Sequence, residues 1–199
     1  MVNWGIGLEI LKALSDISDV EVHCVITQYD INKLDDRWYN AVHDYAVAQK
    51  IRIIDEKNIT FSQLQQIIRN TDIDLLLVHS FMRRLPEKVF SLPRYGSVNI
   101  HPSLLPKYRG PSPNYWVLKN KEKITGLTSH YIATDFDAGP IICQRRVMLE
   151  CNDNVSSIIE KQKHTVGSLI RETIRKISDS NFHPLEQDES KATYFTRPQ

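Results

Sequence analysis

The chain has 199 residues, 41 % of them apolar and 25 % charged, which is enough for one well-buried core and ordinary for a globular domain. Its formal net charge is +1, with Lys and Arg spread over both halves, so bulk electrostatic capture of nucleic acid is not expected. Three cysteines (Cys24, Cys143 and Cys151), odd in number and without CxxC spacing, argue against a disulfide framework or a zinc site and fit a reducing, cytoplasmic compartment.

The first residues, MVNWGIGLEI, show no signal-peptide pattern. Apolar residues at helical spacing predict a helix over residues 5–15. A strand is predicted over 21–27, a helix over 38–49, a short strand over 51–54 and a helix over 61–69. Residues 73–79 (IDLLLVH) suit a strand buried on both faces. The apolar stretch they open is broken by Asp74, His79 and Ser80 and is too short to span a bilayer, so no membrane is expected. Further on come a strand over 97–100, a helix near 114–119, strands over 125–132 and 141–148, and a long amphipathic helix over 155–177. The tail from 178 onward is polar and irregular. Strands alternating with helices predict an α/β domain on a mainly parallel, Rossmann-like sheet flanked by helices, spanning 1–180, with 181–199 as a C-terminal tail. The chain opens almost directly with a helix, where such a domain usually opens with a buried strand; this suggests a missing part of a natural N-terminus, with an unusual start as the alternative. Gly5 and Gly7 only weakly match a phosphate-facing turn; a tight helix start is the plainer reading.

Two stretches carry chemistry. In SVNIHPSLLPKYRGPSPNYW (97–116), Asn99 and His101 lie two apart, so on a strand their side chains point the same way. An amide beside an imidazole polarises a carbonyl, and the imidazole moves protons near neutral pH. In TGLTSHYIATDFDAGPII (125–142), Asp135 and Asp137 sit in a loop that Gly139 allows to turn tightly, and a carboxylate there would orient an imidazole. His130, inside the strand, reads as a core histidine. No metal site is expected.

N-x-HPSLLPKYRG followed by a DxDxGP loop resembles the catalytic core of the folate-dependent formyltransferases, clearly over residues 73–148 and weakly elsewhere. The resemblance implies an enzyme that takes a formyl group from N10-formyltetrahydrofolate and passes it to a primary amine. It places the catalytic set on Asn99, His101 and Asp137. Asn99 would donate to the oxygen of the tetrahedral intermediate, His101 would stabilise that oxyanion or assist proton transfer, and Asp137 would orient and charge His101 or act through a water. The segment FMRRLP resembles the family's pterin-pocket loop, with Met82, Leu85 and Val89 as apolar walls and backbone near Arg83 and Leu85 at the pterin edge. Thr134, Asp135 and Phe136 would close the other side.

Among acceptors, the resemblance favours the amino group of a nucleotide-linked amino sugar, as used in surface-polysaccharide synthesis. The Asn3-Trp4-Gly5 start lacks the Ser-Asn turn of glycinamide ribonucleotide enzymes, and no additional RNA-binding domain is seen. Tyr108, Arg109 and Tyr115 are then candidates for acceptor contact, with bracing of their own loop as the alternative. Methionyl-tRNA, glycinamide ribonucleotide or non-catalytic folate or nucleotide binding are the competing readings, and the oligomeric state, a homodimer included, is left open.

Overall fold

The computed structural model describes residues 1–30, 32, 40–81 and 83–198. Contacts divide the chain into two units, Met1–Ser97 and Val98–Gln199. The first contains α1 (Trp4–Ser15), β1 (Cys24–Thr27), α2 (Ala41–Ala48), β2 (Arg52–Asp55), α3 (Phe61–Asn70), β3 (Leu76–Val78) and the short α4 (Glu87–Phe90), which periodicity did not reveal. β1 and β2 run parallel, Cys24 opposite Arg52 and Thr27 opposite Asp55. The start of α3 is set by a capping box in which Thr60 and Gln63 satisfy each other's backbone N–H groups, and its buried face is Leu64 and Ile68, one turn apart. All three residues of β3 are buried, as an uninterrupted apolar run requires.

Ahead of α1 the chain makes an isolated β-bridge rather than a strand. Val2 N–H donates to the Ile26 carbonyl at 3.2 Å, and His79 N–H donates to the Met1 carbonyl at 2.8 Å, so Val2 bridges in parallel with His79. Gly5 and Gly7 fall inside α1, which follows at once. Of the helix predicted over 38–49, α2 is the described part, and residues 38 and 39 lie outside the described residues.

The second unit contains β4 (Ser97–His101) from its second residue on, α5 (Pro113–Lys119), β5 (Ile124–Tyr131), β6 (Ile141–Met148), α6 (Val155–Ile177) and a 3-10 turn (Glu189–Lys191). Parallel pairing holds for β1 and β2, whereas β4, β5 and β6 pair antiparallel. For β5 and β6 the reason is the connection: residues 132–140 join them with no helix between, and so short a link permits only antiparallel pairing. α6 starts at a capping box of Asn154 and Ser157 and lays Ile158, Val166, Leu169 and Ile170, each 0 % exposed, on β5 and β6. Gln162 stands in this apolar stripe, also fully buried, exchanging hydrogen bonds with Asn114 and donating to the Gly126 carbonyl.

The tail is ordered by backbone bonds rather than by its own periodicity. Leu185 and Ile141 exchange N–H···O bonds of 2.7 and 2.8 Å, and Tyr194 bridges in parallel with Arg109. Residues 185 and 193–195 of the tail are thus held to Ile141 and to the loop after β4. Among the described residues no helix is long and apolar enough to cross a membrane, and no group of three or more His, Cys, Asp or Glu side chains is placed to hold a metal ion.

Candidate active site

β4 alternates. Val98 and Ile100 are 0 % and 1 % exposed on one face, while Asn99 and His101 project from the other. The antiparallel register sets His130 directly opposite Asn99 and Thr128 opposite His101, so two imidazoles and an amide share one face. Thr128 Oγ1 donates to the Ser103 carbonyl and accepts from Leu105 N–H, which ties the loop after β4 to β5. Tyr108 sits in that loop at φ 62, in the left-handed region, and its carbonyl turns back onto the His101 ring, with Nε2 at 2.7 Å.

The loop 132–140 delivers the carboxylate. A side chain on Gly139 would put Cβ 1.9 Å from the Tyr131 carbonyl oxygen, so only glycine lets the loop close this tightly on the end of β5. Asp137, at φ 54, then directs Oδ1 to within 3.4 Å of His101 Nδ1, 3.6 Å of His130 Nε2 and 3.2 Å of Asn99 Nδ2. Its Oδ2 accepts from Gly110 N–H at 2.8 Å.

Burial alone would raise the Asp137 pKa, but the two imidazoles and the Gly110 N–H more than reverse this and hold it well below the usual carboxylate range. The Gly110 and Asn99 hydrogen bonds to its two oxygens do not depend on the charge of either ring. Burial pushes the His101 pKa below the ordinary imidazole value; the Asp137 charge and the Tyr108 carbonyl oppose it, and His130 adds to the lowering. At neutral pH the pair is thus a neutral imidazole beside a carboxylate. Partners assign the tautomers. His101 Nε2–H donates to Tyr108, leaving Nδ1 free to take a proton facing Asp137. His130 Nδ1–H donates to the Tyr131 carbonyl at 2.9 Å, leaving Nε2 to accept from Asn99 Nδ2 at 3.1 Å.

The structure therefore brings Asn99, His101 and Asp137 together and adds His130, which the sequence reading set aside as core. Its signal was the antiparallel register, which cannot be read without the fold. Tyr108 and Arg109 were expected either to contact an acceptor or to brace their own loop, and their side chains are engaged within the protein. The Tyr108 hydroxyl donates to Glu122 at 2.7 Å and accepts from Asn120, and its ring stacks on Phe195 at 5.2 Å. The Arg109 guanidinium is spent on Gln187 Oε1 and the Glu189 carboxylate. Both brace the loop. Tyr115 is 38 % exposed, its ring edge-on to Trp116.

In the first unit, Arg83 donates to the carbonyls of Ile59 and Glu56 and lies between the Phe61 and Phe81 rings. Leu85 and Val89 are 7 % and 0 % exposed. Val89, expected at a pocket wall, is fully buried on α4. Met82 lies outside the described residues. Thr134, Asp135 and Phe136 are exposed on the loop leading to Asp137.

Comparison with known proteins bears on this arrangement. The formyl transferase family matches residues 7–174. Methionyl-tRNA formyltransferase of Thermotoga maritima is 37 % identical over 151 residues, 75 % of this chain and 48 % of that protein. The chain spans about half the length of the curated relatives it matches. Among solved structures, WlaRD, a sugar 3N-formyl transferase crystallised with dTDP and 5-N-formyl-THF, superposes with a TM-score of 0.76 at 21 % identity, covering 98 % of this chain and 68 % of that one. Phosphoribosylglycinamide formyltransferase from Bacillus halodurans gives 0.74 at 22 % identity, over 90 % and 94 %. At these identities the structural likeness is one of fold.

Proposed function

Because the chain belongs to the formyl transferase family, we propose that it transfers a formyl group from N10-formyltetrahydrofolate to a primary amine. The observation that carries this reading is the convergence of Asn99, His101 and Asp137 at the end of β4. The donor set suits a formyl group. It comprises an amide with two N–H groups and a neutral imidazole on one face of β4, and an ionised carboxylate brought to them by the loop 132–140. The folate carrier would supply a carbon already at the carboxylic-acid oxidation level, so transfer exchanges one C–N bond for another without redox chemistry.

Asn99 donates from Nδ2 to the formyl oxygen as negative charge grows there. Its present bonds to His130 and Asp137, at 3.1 and 3.2 Å, are at the long end of the range and are readily re-aimed. One such donor contributes on the order of 3–4 kcal/mol to lowering the barrier. His101 takes the proton lost by the attacking amine at Nδ1. The resulting imidazolium lies between the Asp137 carboxylate and the Tyr108 carbonyl, both already in place. His101 then returns the proton to the departing nitrogen. Asp137, held strongly acidic, is a poor base and acts as the counter-charge.

For the acceptor we favour an amino sugar on a nucleotide. The net charge of +1 supports a small acceptor. Methionyl-tRNA is the second reading, supported by the 37 % identity to the Thermotoga maritima enzyme. Turnover of N10-formyltetrahydrofolate, followed by absorbance with amino-sugar nucleotides, methionyl-tRNA and glycinamide ribonucleotide, tests both. Amine-dependent turnover abolished by His101→Ala supports formyl transfer and names the acceptor. Folate binding with no turnover on any amine would replace this reading with a binding protein.

A further inference from the structure

Both partners of the His101 ring hang on the C-terminal segment. The Arg109 backbone beside Tyr108 is pinned on each side: its N–H donates to the Thr193 carbonyl and its carbonyl accepts from Phe195 N–H, both at 2.9 Å. Tyr108 N–H donates to Thr193 Oγ1 at 2.8 Å. At the other loop stands Gln187. Its Nε2 donates to the carbonyls of Asp137 and Gly139 at 2.8 and 2.7 Å, and its Oε1 accepts from Arg109 Nε and Nη2 at 3.1 and 2.8 Å. A primary amide has two N–H donors and two lone pairs on oxygen, so all its capacity is used. Two residues earlier the chain is fixed by the reciprocal Leu185–Ile141 bonds. Asp137 itself has φ 54, a conformation that is unfavourable for a non-glycine residue and persists where the surroundings impose it. Among those surroundings, Gln187 grips the backbone carbonyls of Asp137 and Gly139.

We propose that Gln187 is a positioning residue: its amide holds the Asp137 loop in the left-handed turn that aims the carboxylate at His101, and couples that loop through Arg109 to the loop whose carbonyl holds the other side of the ring. This rests on the reading that Asp137 and His101 are the reacting pair. Glu189, by contrast, is an exposed carboxylate that meets Arg109 without touching Asp137.

The test uses the full chain without folate, with the His101 imidazole titrated by 15N NMR, and steady-state turnover measured in parallel. Asp137→Asn is the reference, since removing the charge that favours imidazolium lowers the His101 pKa; His130, the other titratable group on the ring, is left unchanged. Gln187→Met is expected to shift the His101 pKa in the same direction and to lower kcat on the order of 10²-fold with KM for the acceptor little changed, as a misplaced catalytic group does. Glu189→Gln, a comparable loss from the tail, is expected to leave the His101 titration as it was. Should Gln187→Met fail to fold, Gln187→Ala, which also loses both donors and adds no charge, makes the same comparison. If Asp137→Asn moves the His101 titration and neither Gln187 variant does, the positioning role is wrong and the catalytic reading stands. If both move it but turnover is indifferent to Asp137, the positioning role stands and the catalytic reading falls. An Asp137→Asn variant that leaves the His101 titration unmoved overturns both.

Discussion

Gly110 supplies the N–H that holds Asp137 Oδ2 at 2.8 Å, and it does so at φ 93 with the Phe195 carbonyl oxygen 2.3 Å from where a Cβ would lie. Gly110→Ala therefore meets two costs at once. Forcing an L-residue into the left-handed region costs about 1–2 kcal/mol. Pushing a methyl into backbone rather than into a flexible side chain adds roughly 1–3 kcal/mol. The sum, about 2–5 kcal/mol, corresponds for a chain of this length to a fall in Tm of roughly 4–20 °C. The Cβ also meets the Tyr194 ring at 3.2 Å, so relief requires the segment 194–195 to move away, which breaks the Phe195 N–H to Arg109 carbonyl bond. Activity is expected to fall even at temperatures where the variant is fully folded, because the amide that holds Asp137 moves with residue 110. Thermal melts by circular dichroism, with turnover well below the transition, measure both. A variant melting within about 2 °C of the wild type, with unchanged turnover, would show that the approach of the tail to this loop is not as close as described.

Asn99→Ala is expected to lower kcat by about 10²–10³-fold with KM for the acceptor little changed, as loss of an oxyanion donor does; a drop under about threefold in steady-state kinetics would remove Asn99 from that role. His101, pushed down by burial, is neutral when folded and binds a proton more readily once unfolded, so stability falls as pH drops through the ordinary histidine value of 6.5. Urea unfolding of the wild type and His101→Gln between pH 7 and 5 checks this, the variant losing the slope; equal slopes would contradict it. Asp137, held down, contributes stability that is fully present above the ordinary carboxylate value of 3.8 and is lost as the pH falls below it, a separate and more acid window. Gln162→Leu is expected to cost about 2–4 kcal/mol, because it leaves the buried Asn114 amide and the Gly126 carbonyl without their partner; a denaturant midpoint equal to wild type would show that another group satisfies them.

Local pattern was enough for the longer helices and for most strands. The stretch over 155–177 is α6, and 141–148 is β6, because a buried stripe or a run of branched residues leaves its period in the sequence. The i, i+2 spacing of Asn99 and His101 also carried real geometry, since successive strand residues alternate faces. The helix α4 escaped because four residues hold too little period to detect. Asp137 was found through its motif and not through any property of Asp-x-Asp itself.

What the tertiary structure alone decided is which distant groups complete the site. His130 reaches Asn99 by antiparallel register, and register depends on pairing across residues that are 31 apart in the chain. Tyr108 and Arg109 carry side chains suited to binding an acceptor; whether they face a ligand or the protein depended on Glu122, Gln187 and Glu189 folding against them. Gln187, in a polar tail with no period, closes on Asp137 from 50 residues away. Periodicity records the face that an element buries, because burial is decided residue by residue along it. Hydrogen bonds between loops record nothing locally, because each partner is an ordinary polar residue until the fold brings the other to it.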